Sequence, residues 1–216
     1  MKAGTPDPAV LRRVPTQARS QEKVERALAA ASALLEREGV GALTLTRVAR
    51  EAGVSVGALY QYLPDRDTIV ALLSAEHHAR LEAMMDQLVA DVGTVTDPVG
   101  AALSAVARLY REQAGVRAMR RRLQPAAQLG ETRAHKARMT AKVVELLDAL
   151  GFRAEGGNAR VARTVFFAAD ALMHEAFEQD ESGDATVLAD LEDLLRAYLD
   201  QVPVLSRTTS VSTARG

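Results

Sequence analysis

Between Thr44 and Leu63 the chain reads Thr-Leu-Thr-Arg-Val-Ala-Arg-Glu-Ala-Gly-Val-Ser-Val-Gly-Ala-Leu-Tyr-Gln-Tyr-Leu, and no other stretch restricts the fold as strongly. It is two short helical patterns hinged at one glycine. Thr44 and Ser55 each stand just before a helical pattern, where a hydroxyl can accept a bond from a free N–H of the first turn. Gly53 sits where the chain leaves the first helix, a position that often requires positive φ. Val48, Ala49, Ala52, Val54, Leu59 and Leu63 supply apolar contacts, and Ala49 and Ala52 are small where the helices would cross closely. The spacing predicts a helix-turn-helix, whose second helix fits the major groove of duplex DNA.

Composition points to an all-α fold. Of 216 residues, 48% are hydrophobic and 25% charged, aromatics are only 4%, and there is no Trp. Abundant Ala and Leu favour helices over a β-sandwich. Cysteine is absent, which excludes disulfides, thiolate zinc sites and a cysteine nucleophile. A cytoplasmic location is expected, since cysteine usage fits a reducing compartment. No apolar run reaches the ~18 residues of a membrane span. The most apolar window, 165–173, is broken by Asp170, and the first 20 residues contain three prolines and four basic side chains rather than a signal peptide. No membrane partner, metal or cofactor is expected.

A formal net charge of −1 by itself argues against nucleic acid, but the distribution argues for it. Residues 1–66 hold 10 basic and 7 acidic side chains, 67–107 hold 1 and 6, 108–142 hold 10 and 2, and 143–202 hold 4 and 13. The acidic stretches would keep most of the surface off DNA and leave the positive N-terminal end to bind it.

About nine helices are expected. The first begins near Ser20 and ends before Gly39, with Val24, Ala27, Leu28, Ala31, Leu34 and Leu35 on one face. A recognition helix spans 56–62. Pro64-Asp65 starts a fourth helix, whose apolar stripe is interrupted at Glu76-His77-His78. Asp97-Pro98 starts a fifth, closed by Gly115. A short basic helix spans 116–123 and stops at Pro125. The last three run over 131–150, 158–179 and 185–201.

The motif residues resemble the TetR family of bacterial transcriptional regulators. The family pattern is met by Thr44, Val48-Ala49, Ala52-Gly53-Val54-Ser55, Ala58-Leu59-Tyr60, Tyr62, Pro64 and Arg66, and the Arg12–Ser20 run is similar to its N-terminal arm. The likeness spans residues 9–75. Leu63 replaces the usual phenylalanine and Arg66 the commoner lysine. Residues 1–18 read as a flexible basic arm and residues 203–216, rich in Ser, Thr and Arg, as a disordered tail; between them the resemblance implies a DNA-binding domain over 19–66 and a ligand-binding and dimerisation domain over 67–202.

It also implies a partner, an operator on double-stranded DNA. Phosphate contacts are expected from Thr44, Arg47, Ser55, Tyr60 and Arg66, which position the head without reading sequence. Gln61 and Thr46 are the expected base readers, with Val56 and Ala58 against a thymine methyl. Gly57 lets the backbone approach closely. Tyr62 is either a contact or a packing residue. Arg12, Arg13 and Arg19 would follow the backbone or enter a minor groove. One module reads too few bases, so a homodimer on a near-palindrome is expected, joined through the helices at 158–179 and 185–201. Val161, Val165, Ala168, Leu172 and the leucines of the ninth helix are candidates either for that interface or for the core.

The resemblance further implies a small-molecule effector in the C-terminal domain. Candidate pocket residues are His77, Leu81, Met84, Met85, Tyr110, Met119, Met139, Phe166, Phe167, Asp170, Met173 and His174. Asp170 and His174, four apart, either orient a polar ligand group or pair with each other. Arg117 with Arg120, Arg121 and Arg122 either binds an anion or forms a solvated face. The leading expectation is a ligand-released repressor. The alternatives are a helical enzyme or sensor using carboxylates and histidines, for which no nucleophile elbow or phosphate-cradling loop is found, and a regulator without a ligand.

Overall fold

The computed structural model describes residues 18–113, 115–117, 119, 129–178 and 180–205. These form nine helices: α1 (Ala18–Glu38), α2 (Leu45–Glu51), α3 (Val56–Tyr60), α4 (Arg66–Ala90), α5 (Pro98–Glu112), α6 (described residues 115–117 and 119), α7 (Leu129–Ala149), α8 (Asn158–Ala176) and α9 (Ala185–Gln201). Among the described residues the one β-feature is an isolated antiparallel bridge between Ala154 and Val204. The peptide N–H of Glu155 donates to the Pro203 carbonyl at 2.8 Å and that of Leu205 to Arg153 at 2.8 Å. Residues 203–205 are therefore fastened to the loop before α8, although the sequence placed them at the start of a disordered tail; the rest of that tail lies outside the described residues.

Local chemistry sets the helix starts. Thr44, Ser55, Asp65, Asp97 and Asp184 all act as N-caps, each accepting from a backbone N–H of its own first turn. Gly53 has φ of 65°, so the turn between α2 and α3 does use the left-handed region.

Two cores organise the chain. The first joins α1 to α3, the first half of α4, and Val116 and Met119 of α6. The second joins the rest of α4 to α5, α7, α8 and α9. Helix α4 belongs to both: Ile69, Val70, Leu72 and Leu73 sit in the first, Leu81 and Met85 in the second. It is continuous through Glu76-His77-His78, where a break in the apolar stripe was expected. His77 and His78 are 0% and 2% exposed, so the imidazoles replace aliphatic side chains in the packing.

Three other expectations shift. The recognition helix closes at Tyr60, with Gln61 and Tyr62 in the following turn. The eighth helix ends at Ala176. Gly115 does not terminate α5, which ends at Glu112; it lies in α6, pressed against the end of α1. A Cβ at Gly115 would stand 2.7 Å from the Glu36 nitrogen and 2.8 Å from the Leu35 carbonyl carbon. Only glycine allows that approach, so α6 is seated directly on the head.

Candidate nucleic-acid interface and cavity

The first site is the outer surface of α2 and α3. Leu59 packs inward, leaving Val56 (36% exposed), Gly57, Tyr60 (44%) and Gln61 on the opposite face, at the one- and four-residue spacing of a helical surface. Ala58 is half-buried. Thr44, Thr46, Ser55 and Arg66 are exposed beside them, as is Arg19 at the start of α1. The Thr44 hydroxyl accepts the Arg47 N–H at 3.4 Å and the Ser55 hydroxyl accepts the Ala58 N–H at 3.2 Å. Each hydroxyl keeps its own proton for donation outward. A Cβ at Gly57 would meet nothing within 4 Å, so the space in front of it is open. Arg50, which the motif did not single out, is also exposed on α2.

Two expected contacts are engaged within the head. Arg47 forms a bidentate pair with Glu38, both oxygens at 2.7 Å from Nη2. This bond, together with the charges of Arg47 and Arg37, holds the Glu38 carboxyl below the usual carboxylate range. Arg47 is thus tied to Glu38 through Nη2 within the head. Tyr62 donates its hydroxyl to Ser20 Oγ at 3.0 Å and packs against the head core, which ties α1 to the turn after α3. Arg12 and Arg13 lie outside the described residues.

The second site is a cavity of about 130 Å³ in the second core. Seven of the sequence-derived pocket candidates line it: Leu81, Met85, Tyr110, Met139, Phe166, Asp170 and Met173. Five lie elsewhere. Met119 is fully buried in the head core, because α6 seats on α1. Phe167 faces outward at 45% exposure, since it is the residue after the inward Phe166. Met84 packs at the edge of the core. His77 bonds through Nδ1 to the Gln113 side chain, between the cavity and the head. The exposed His174 ring stands edge-on to Tyr110.

Asp170 and His174 do lie together, with His174 Nδ1 3.6 Å from one Asp170 oxygen and 2.6 Å from the Asp170 backbone carbonyl, and the other Asp170 oxygen accepts from Lys136 Nζ at 2.6 Å. The expected pairing missed Lys136 because it lies on a different helix. Arg117 also departs from the solvated basic face: its Nε donates to the Tyr110 carbonyl at 2.7 Å and Nη1 to that of Phe177 at 3.2 Å, with the guanidinium 4.6 Å from the Phe177 ring centroid. It fastens α6 to the ends of α5 and α8. Arg120, Arg121 and Arg122 lie outside the described residues.

The cavity walls that the sequence did not pick out are mainly half-buried aliphatics, such as Val99, Leu103 and Val106 on α5. Their spacing marked an inward face, which looks the same whether that face meets side chains or space. Some expected interface residues are core as well: Val161, Leu191 and Leu195 are buried, and Val165 and Leu199 line the cavity. The large apolar side chains left exposed on α8 and α9 are Phe167 and Leu194, at 45% and 46%. Among the described residues, no group of His, Asp and Glu could hold a metal ion and no helix is long and apolar enough to cross a membrane.

Residues 27–73 match the family model of bacterial regulatory proteins of the tetR family, and residues 96–199 match that of the tetracyclin repressor-like C-terminal domain. No curated protein matches the chain. Among solved structures, a TetR-family transcriptional regulator from Streptomyces coelicolor is 26% identical, with a TM-score of 0.55 over 84% of this chain and 99% of that one. A TetR-family regulator from Pectobacterium atrosepticum is 21% identical, with a TM-score of 0.65 over 88% and 100%. RolR in complex with its ligand resorcinol is 17% identical, with a TM-score of 0.52 over 87% and 97%.

Proposed function

The chain belongs to the TetR family of bacterial regulatory proteins, and on that basis we propose that it is a cytoplasmic, dimeric repressor released from its operator by a small molecule. The observation that carries this reading is the double membership of α4. Its first half is locked into the head core and its second half walls the cavity. A molecule that displaces Leu81 and Met85 therefore acts on the same helix that packs Ile69 and Leu73 into the head core.

Binding energy is converted into release by population shift. An effector must favour the non-binding spacing of two heads by about 10⁴-fold to swing a 1:99 equilibrium to 99:1. By linkage, DNA weakens effector binding by the same factor. Each head turns Gln61, Thr46 and Val56 toward bases, with Thr44, Ser55, Tyr60 and Arg66 toward phosphate. Arg47 joins them once it leaves Glu38. Phe167 and Leu194 supply the exposed apolar surface for pairing two copies through α8 and α9. RolR, of the same fold, binds resorcinol, which supports a small-molecule occupant here.

The test is binding of the full chain to duplex DNA from its own promoter region across a salt series. A log–log slope steeper than about −4 is expected for a dimer with several phosphate contacts. No binding even at low salt would refute the reading. Leu194→Arg should shift the protein to monomers in light scattering and remove operator affinity without lowering helix content.

A further inference from the structure

Resting on the effector reading above, we infer that the cavity takes an elongated lipophile whose polar end is a hydrogen-bond donor, a hydroxyl or an ammonium, and that it rejects carboxylates. Length comes from the walls. They follow α5 from Pro98 to Tyr110, twelve residue steps or about 18 Å at the helical rise. A volume of about 130 Å³ approaches that of an apolar protein cavity that admits benzene, about 150 Å³. A cavity of that size takes a ligand of about six carbons, lying as a short chain along the walls rather than as a fused ring system.

Polarity comes from the two ends. Pro98, Val99, Leu146, Leu150 and Leu199 make one end wholly apolar. Tyr110, His135 and Asp170 gather at the other, nearest the head. Among the described lining residues there is no lysine or arginine, and Asp170 is the one carboxylate. One Asp170 oxygen takes Lys136 at 2.6 Å; the other is 3.6 Å from His174 Nδ1, too long for a hydrogen bond. That oxygen has capacity to accept from a ligand. His135 is 7% exposed and bonds Glu82 at 2.7 Å through Nδ1, a second carboxylate close behind the polar end. Both carboxylates are already matched by cations, Asp170 by Lys136 and Glu82 by Arg138 at 3.0 and 3.1 Å, so an incoming anion finds no uncommitted cation among the described lining residues of an apolar enclosure, where unpaired charge is costly. An ammonium or hydroxyl would complete the Asp170 shell while its tail fills the apolar end.

The probes are hexylamine, 1-hexanol and hexanoate, which share one tail and differ only in the head. Titration calorimetry on the full-length protein at pH 7 should rank hexylamine and hexanol at least about ten-fold tighter than hexanoate. Asp170→Asn should erase that order or reverse it, because Lys136 is then left to attract the carboxylate. Ala102→Phe, which fills the middle of the channel, should abolish binding of all three and serves if the Asp170 variant misfolds. Hexanoate binding as tightly as the amine, or no binding by any probe, overturns the inference. If hexylamine binds as expected but leaves affinity for promoter DNA unchanged, the cavity assignment stands and the effector role falls.

Discussion

The head and the helical body are both made of Ala- and Leu-rich helices, yet their interiors differ in kind. Among the described residues, the head core holds 19 buried apolar residues with 4 partly buried ones around them, whereas the body core holds 18 buried and 16 partly buried. In the head, the apolar side chains of α1 to α3 and of the first half of α4 are mostly buried against one another. The longer helices of the body surround a space that their side chains do not fill. The difference fits two tasks: a well-packed head that holds the exposed face of Tyr60 and Gln61 in place, and a body that keeps a cavity among its helices.

The largest test of that contrast is a matched pair of truncations. Leu34→Ala, at a site with 0% exposure, should cost about 2–5 kcal/mol in urea unfolding. Leu103→Ala, already half-buried on the cavity wall, should cost about 1 kcal/mol, because little new void is created. Equal losses would mean the two interiors are packed alike. Next, Gly115→Ala forces a methyl onto the backbone of α1 and should destabilise by about 1–3 kcal/mol. It should also weaken DNA binding through the displaced head, while probe binding in the cavity changes little.

Within the head, Gln61→Ala should reduce discrimination between operator variants by about 1–3 kcal/mol. Arg66→Ala should weaken all duplexes alike and lower the salt slope by about 1. If the two variants behave the same way in a competition assay, the division into base reader and phosphate contact is wrong. The smallest effect concerns Glu38. Its carboxyl is held low by Arg47, so the ion pair's contribution to the fold is complete above the ordinary carboxylate range and is lost as pH falls through the depressed value. Protonation also frees Arg47 for phosphate. DNA affinity should therefore rise a few-fold on acidification over that window, and Glu38→Gln should show the raised affinity at pH 7 with no such pH dependence.

Local chemistry was legible in the sequence wherever the decisive partners are near in the chain. Thr44, Ser55, Asp65 and Asp97 cap the helices they precede, Gly53 turns with positive φ, and the six apolar residues of α1 from Val24 to Leu35 are all buried. Each of these depends on residues within a few positions, so spacing alone fixes it. The same rule explains the misses. Gly115 looked like a helix stop because nothing nearby announces that α1 will press against it. Spacing matches Asp170 with His174, four residues on, which does lie against it, but not with its second partner Lys136, 34 positions away.

The sequence by itself determined that this chain is helical, where most helices start, and that it carries a DNA-reading head of the TetR type. Only the tertiary structure decided which inward faces meet side chains and which meet empty space, that Met119 serves the head rather than the cavity, and that Arg47 rests on Glu38. The physical reason is that periodicity records which side of a helix avoids water, whereas what stands across from that side is set by the positions of several helices at once.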